Sequence, residues 1–315
     1  MRAMERKLSA FQFMIVALIG VTMLMLAAIA VPHDRYYRYQ KYDSVTTQKA
    51  DWIHERLRMD ETPVDIALVG TSRMGGGVSS PEVERLYCAA TGRRIHVANI
   101  ALPKTGRNMH YVLTKEALRT KAPTLIVIEL NEVESRRPHD GFVFLADAVD
   151  VLTAPRAINF NYISDLIRLP GRQAQLFFET TFRRPALRTS FDPDAYAGAH
   201  LDRTHAVRLI NGGVINRDIV RPADDLDRLY QERLSRQKPM FMMPDALRDF
   251  EYRFSRLYLR KIETIAARED AAVEYVYLPA YRGPLSFPRA LKSTLRIRSG
   301  VLAPGADIID DPDFW

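Results

Sequence analysis

The chain has 315 residues, 47% apolar and 26% charged, which supports one large or two modest folded domains and argues against disorder. Its 45 basic and 38 acidic residues leave a formal charge of +7, but no Lys/Arg block comes with aromatic interleaving, so nucleic acid is not an expected partner. Cys88 is the one cysteine, which excludes an internal disulfide, and seven scattered histidines without an HExxH leave no metal or other cofactor expected.

Residues 1–12 carry Arg2, Arg6 and Lys7, and Phe13 to Val31 follows as nineteen residues without a charge. A helix needs roughly twenty such residues to cross hydrocarbon, and basic residues ahead of it favour a cytoplasmic N-terminus. The span at 13–31 therefore reads as a transmembrane signal anchor, with the lipid bilayer as partner and the rest of the chain extracytoplasmic. Ala28-Ile29-Ala30 also resembles a signal-peptidase site, so cleaved export is the alternative. Residues 32–60 read as a polar linker turning into a short helix edged by Trp52, Ile53 and Leu57, and Tyr36, Tyr37, Tyr39 and Tyr42 would suit a headgroup layer.

A domain is expected over 61–315. Ile66 to Gly70 is a short apolar run suited to a buried strand, followed by Thr71, Ser72, Arg73 and a three-glycine turn. Ser80-Pro81-Glu82 then opens a helix that Gly92 stops. Ile95 to Leu102 predicts a second strand carrying Asn99, Gly106 opens a second helix, and Leu125 to Ile128 predicts a third strand. Three strands with two helical crossovers define an α/β domain with a mainly parallel sheet. Residues 142–153 read as an amphipathic helix. An inserted region of short helices and loops is expected at about 142–240, with Pro170, Pro185 and Pro193 breaking any long element. Helical patterns return at 222–236 and 244–268, Val273 to Leu278 predicts a fourth strand, and Ala306 to Ile309 a fifth.

A small hydroxyl at the carboxyl end of a strand, feeding a glycine turn and a helix, is where open α/β sheets place their chemistry, and Ser72 stands there. Nucleotide-binding readings of this loop fail. Gly70 and Gly75 have Walker A spacing, but Gly76 replaces the lysine, and Ser80 takes the last glycine position of a GxGxxG frame. Asn131 lies just beyond the third strand, on the same sheet edge if the strands are parallel, where an amide donor could hold a developing oxyanion. Glu129 and Glu132, beside it, read as solvated or salt-bridged.

Together these stretches resemble the SGNH/GDSL hydrolase superfamily, and most of all its membrane-anchored bacterial members that handle acyl groups on envelope polymers, such as the alginate O-acetylation and teichoic-acid D-alanylation proteins. The Gly-Asp-Ser block stands here as Gly70-Thr71-Ser72-Arg73, with threonine for aspartate; the second-block glycine falls on Gly106; and Gly-x-Asn-Asp stands as Glu129-Leu130-Asn131-Glu132. The resemblance implies a three-layer, flavodoxin-like sandwich with Ser72 as nucleophile, its backbone N–H and Asn131 as oxyanion donors, and Thr71, Arg73 and Gly106 supporting the loops. It implies an acylated glycan or small acyl ester as substrate, other envelope biosynthesis proteins as partners, and a place in the bacterial inner membrane.

The fourth family block, Asp-x-x-His, has no counterpart. No histidine occurs after His205, and the ending Asp310-Asp311-Pro312-Asp313-Phe314-Trp315 looks like the lead-in to such a block. A serine without a base is a poor nucleophile. The chain as given is therefore expected to be inactive or nearly so, either as a shortened form of an esterase or acyltransferase or as a non-catalytic relative that binds glycan or envelope proteins. Among the upstream histidines His110, opening a helix near the same edge, is the one geometrically suited to act as a base.

Overall fold

In the computed structural model the described residues are 10–42, 48–104, 106–130, 138–156, 159–183, 222–236 and 252–278, with short stretches at 189–191, 206–208 and 214–216 and isolated positions between 244 and 250. The first element, α1 (Ala10–Ala30), is one helix of 21 residues. At ~1.5 Å per residue it is about 31 Å long, the thickness of a hydrocarbon core. Its apolar side chains from Phe11 to Leu26 stand clear of the rest of the protein. The Thr22 hydroxyl donates to the Leu18 carbonyl at 2.8 Å, so the helix surface shows no unpaired hydroxyl there. Length and composition suit a membrane anchor or a signal sequence.

The stretch expected as a linker is folded onto the domain. It carries α2 (Arg35–Lys41), capped by the Asp34 carboxylate, and α3 (Gln48–Arg58). Tyr39, Trp52, Ile53 and Leu57 sit in the main core, and Tyr36 and Tyr39 each pack on the His54 ring at 4.8 Å between centroids instead of facing headgroups. The polar look of this stretch has a specific origin. Three of its four arginines are spent on two carboxylates: Arg35 and Arg58 pair with Glu116 at 3.2 and 2.6 Å, and Arg35 and Arg38 pair with Asp147 at 3.0 and 2.9 Å. Lys115 joins Asp147 at 3.2 Å. Burial works against the Asp147 charge, but the Arg38 hydrogen bond and the surrounding cations hold its carboxyl well below the usual range.

The domain continues through β1 (Ile66–Val69), α4 (Ser72–Gly77), α5 (Ser80–Thr91), β2 (Val97–Asn99), α6 (Arg107–Lys121) and β3 (Leu125–Leu130). Next come α7 (Phe142–Leu145), α8 (Ala148–Leu152) and α9 (Tyr162–Phe178), which runs into a π-helical turn at Glu179–Arg183. The antiparallel pair β4 (Ala206–Arg208) and β5 (Val214–Asn216) precedes α10 (Ala223–Arg236), α11 (Arg253–Arg268) and β6 (Ala272–Tyr277). The expected amphipathic helix at 142–153 is two short helices that break at Ala146-Asp147, where Asp147 takes its cations. Pro170 does not break the chain: it lies within α9, forgoing one ladder bond while Leu169, Gln173 and Leu176 bury the helix face around it. The fifth strand expected at 306–309 lies outside the described residues.

Four strands form one parallel sheet in the order β2-β1-β3-β6, giving a mixed α/β fold. Side chains alternate across it with the period of two that a strand dictates. Ala67, Val69, Ile126, Ile128 and Val273 face a core built with α6 and α11. Leu68, Val127 and Val276 face the other way, toward Met74 of α4 and Val83 of α5. The chain leaves β1 toward β2 and returns across β1 to β3, so the strand order reverses between β1 and β3. Crevices at the carboxyl ends of such neighbours are where open α/β sheets bind ligands.

Trp52→Ala should cost about 3–5 kcal/mol of unfolding free energy, the usual loss for a buried tryptophan. Urea unfolding of the full chain in detergent checks it; a change within about 0.5 kcal/mol, typical of exposed positions, would return 48–58 to the status of a linker.

Candidate functional site

The carboxyl end of β1 is shaped by one buried carboxylate on its neighbour. Glu129 is the fifth residue of β3, and the strand period turns its side chain to the α4 face, where it is fully buried. Glu129 Oε2 accepts the Thr71 amide at 2.6 Å and the Met74 amide at 3.2 Å, and Oε1 accepts the Thr71 hydroxyl at 3.0 Å. Thr71 caps α4 in turn, its Oγ1 accepting the Arg73 amide at 3.2 Å and its carbonyl the Gly75 amide at 2.9 Å. The first amides of a helix have no partners inside it, and a carboxylate there also meets the positive end of the peptide dipoles. Of the amides from 71 to 75, that of Ser72 is left without a partner among the described residues.

The three glycines expected as a turn are helical in α4, and the reason lies at both ends of the element. Glycine is disfavoured in a helix by roughly 1 kcal/mol per residue, so tertiary contacts must hold it. Glu129 grips the N-terminal end. At the other end Asn99, fully buried on β2, donates from Nδ2 to the Met74 and Val78 carbonyls at 2.9 and 3.0 Å. Gly70 makes the approach of Glu129 possible: a Cβ there would stand 2.5 Å from Met74 Cβ and 2.8 Å from Glu129 Cβ, and would collide with the carboxylate.

Ser72 is exposed on the first residue of α4, at the carboxyl end of β1, as the sequence suggests. Thr71 is buried and Arg73 half-buried, its guanidinium donating to the Leu278 carbonyl at 2.9 Å just past β6. Gly106 precedes α6 on the same sheet edge, and a Cβ there would lie 2.5 Å from His139 Cβ, so it is a packing glycine. Asn131 lies outside the described residues; its predecessor Leu130 ends β3 opposite Tyr277. Sequence reasoning missed Glu129, which is neither solvated nor salt-bridged but satisfied by the Thr71 turn. A glutamate inside the apolar run Leu125 to Leu130 was the available signal, because a strand buried on both faces tolerates a carboxylate only with partners. Arg107 was missed as well: fully buried, it donates to the Glu129 carbonyl at 2.7 Å and contacts His110 Nδ1 at 3.0 Å.

That contact decides the state of His110. Arginine only donates, so His110 Nδ1 accepts and its proton sits on Nε2. Burial, then the Arg107 charge, pushes its pKa well below the ordinary value of 6.5. His139 has Nδ1 accepting the Gly141 amide and Nε2 on the Pro103 carbonyl, each at 2.9 Å. Neither lone pair is open to a serine proton, so His110 loses the role of base that its position suggested. His96 precedes β2 at the opposite edge, its backbone paired with Asp65. His200 and His205 lie outside the described residues. No group of metal-binding side chains occurs among the described residues. Comparison with protein families, with curated proteins and with solved structures yields no match.

Glu129→Ala leaves two amides and a hydroxyl unpaired, each costing about 1–3 kcal/mol, so the urea midpoint should drop steeply. Gly70→Ala should also destabilise, and the two changes together should cost less than their sum, since both act on one contact. Additive effects would place the two residues in separate environments.

Acidification should destabilise the fold through its neutral histidines. His54 falls from 6.5 to about 4, chiefly by burial, and His110 and His139 are lowered in the same sense. The unfolded chain then binds more protons below pH 6.5, so the stability these groups contribute is full above that value and drains as pH falls through about 4. Asp165, raised by burial to about 6, acts in the opposite sense, but the three histidines together outweigh it, so urea midpoints at pH 7.5, 6 and 5 should decline in that order; a rise would mean that the histidine rings do not dominate this range.

Proposed function

We propose that this chain is an envelope-facing protein of the SGNH type, anchored by α1, whose reaction centre is Ser72 and whose chemistry is O-acyl transfer or ester hydrolysis on an acylated glycan. The observation that carries the reading is the placement of Ser72: an exposed hydroxyl at the strand-order reversal, on a turn where its own amide lacks a partner among the described residues. In this reading the Ser72 hydroxyl adds to the acyl carbonyl, the Ser72 N–H meets the oxyanion, and Asn131 supplies the second donor. The resulting ester passes to water or a sugar hydroxyl. The flavodoxin-like sandwich fits the strand order and the helices on both faces.

The proton on Ser72 is the difficulty. His110 and His139 have their acceptor nitrogens occupied, so neither serves as its base. A serine hydrolase deprived of one triad member retains only the rate supplied by binding and the oxyanion donors, roughly a thousandfold or more below normal. A second reading, a non-catalytic glycan-binding relative, is favoured by Glu129, which stands where the family has glycine and consumes two loop amides.

Purified full-length chain incubated with p-nitrophenyl acetate should show weak turnover that Ser72→Ala abolishes, with an acetyl group on Ser72 detectable by peptide mass spectrometry after acid quench. Equal rates in both forms with no acetyl adduct would overturn the enzyme reading and leave the binding one.

A further inference from the structure

The inserted helix α9 carries an apolar face that the α/β domain does not use. Ile163, Ile167, Gly171, Ala174 and Phe178 are exposed and recur at helical spacing, and Phe182 extends the line into the π-helical turn. At ~100° per residue the positions 163 to 178 fall within one narrow stripe. Ile167 and Phe182 are exposed by 68% and 65%, values far from those of a core helix. The opposite face of α9, through Leu169, Gln173 and Leu176, is buried against the protein. Scattered exposed apolar residues need no explanation, but an aligned stripe of large ones marks a contact surface.

The position of this stripe indicates its occupant. α9 packs against α1, and Gln173 Nε2 donates to the Ile29 carbonyl at 3.1 Å, in the last turn of the apolar helix. If α1 spans the bilayer, Ile29 marks the depth where hydrocarbon gives way to headgroups, and α9 lies beside it. A helix with one apolar face and basic residues on its flank belongs in that layer. The basic residues are present and confined. A cavity of about 240 Å³ beside α9 is lined by Arg38, Arg168 and Arg172 together with Tyr42, Phe144 and Gln175. Arg172 is anchored by donation to the Val143 and Ala146 carbonyls, and Arg38 by donation to the Ala146 carbonyl and Asp147. The Nε atoms of Arg38 and Arg172 are buried without partners among the described residues. Of the carboxylates near these arginines, Asp147 is shared by Arg38 with Arg35 and Lys115, and Glu179 accepts from Gln175 Nε2 at 3.0 Å. Burial, then the neighbouring Arg38 charge, pushes Arg172 down to about 9, with Asp147 acting in the opposite sense.

We propose that α9 is a second membrane contact: its apolar stripe lies in the bilayer interface beside α1, and the arginine-lined cavity takes the phosphodiester of an anionic phospholipid. The contact goes beyond the acyl-transfer reading and rests only on α1 being in the membrane. It makes the domain lie against the bilayer in one orientation instead of swinging on a tether. The alternating pattern of Arg168 and Arg172 with Ile167 and Gly171 on α9 puts charge at the edge of the immersed face, where guanidinium groups meet phosphates bidentately.

The test uses the full chain with Cys88→Ser, carrying single labelled cysteines at Leu24→Cys, Ile167→Cys or Ser235→Cys. It is reconstituted in phosphatidylcholine vesicles with and without phosphatidylglycerol, and an environment-sensitive label is quenched by brominated lipid. Labels at 24 and 167 should lose most of their fluorescence, the label at 235 should keep it, and phosphatidylglycerol should deepen quenching at 167 alone. Arg168→Glu should remove that dependence while leaving the label at 24 unchanged. Quenching at 24 without quenching at 167 would overturn the proposal and leave the anchor standing; absence at both would overturn the anchor as well. Equal quenching at 167 with and without phosphatidylglycerol would overturn the arginine site. Disulfide formation between two copies of the unlabelled Ile167→Cys protein under mild oxidation, with no lipid quenching of its labelled form, would replace the bilayer by a second copy of this chain.

Discussion

The Glu129 carboxylate is the constraint on which the carboxyl edge of the sheet depends. It sits in a β-strand buried on both sides, where an unpaired carboxylate would be untenable, and its partners are backbone amides and a hydroxyl of the next strand's turn. That choice propagates. The turn must approach closely, so residue 70 is glycine. The amides must converge, so the chain after Thr71 coils into a helix even though three of its six residues are glycine. Arg107 then takes the Glu129 carbonyl and, through His110 Nδ1, fixes the histidine's proton on Nε2. One residue on β3 thereby bears on two elements: its side chain sets the geometry of β1's exit, and its carbonyl holds the arginine that fixes the proton in α6's first turn.

A second set of charges performs a different task at the other end of the domain. Asp147 and Glu116 gather cations from α2, α3 and α6, and so join the segment that follows α1 to the body of the fold. Isolated exposed ion pairs contribute little, but these are partly buried and networked, and their loss would leave charges without solvent or partner. The mechanical result is that α1 enters a docked helix instead of a flexible tether. The apolar residues of α2 and α3 agree with the charges, since Tyr39, Trp52 and Leu57 fill the same core as Ile126 and Ile128. Local sequence and tertiary contact point the same way here, which is why so polar a stretch folds.

Much of the sheet was legible beforehand. The runs beginning at Ile66, Leu125 and Val273 are strands within a residue or two, and the run at Ile95 is a strand over its centre, because each is a short apolar run closed by a turn signal. Parallel pairing followed from the intervening helices. Ser72 was legible for the same reason: a strand that ends in Gly-Thr-Ser can put the serine nowhere but at its carboxyl end. What was not legible depends on contacts far apart in sequence. The helical state of Gly75 to Gly77 is decided by Glu129 and Asn99, more than twenty residues away. The docking of α2 and α3 is decided by carboxylates on other elements. Pro170 reads as a breaker in isolation and is tolerated because α9 is held by its buried side.

The same carboxylate also bears on the chemistry proposed for Ser72. A developing oxyanion gains from donors that are aimed and unspent when it forms. Two amides of this turn, Thr71 and Met74, are already committed to Glu129, and the Arg73 amide is committed to the Thr71 hydroxyl. What remains for an oxyanion is the Ser72 amide, close to a carboxylate whose field opposes negative charge. The loop is therefore preorganised by the protein's own acid and does not wait for a ligand to order it. In this chain, loop rigidity and oxyanion stabilisation compete for the same donors, and the structure has given most of them to rigidity.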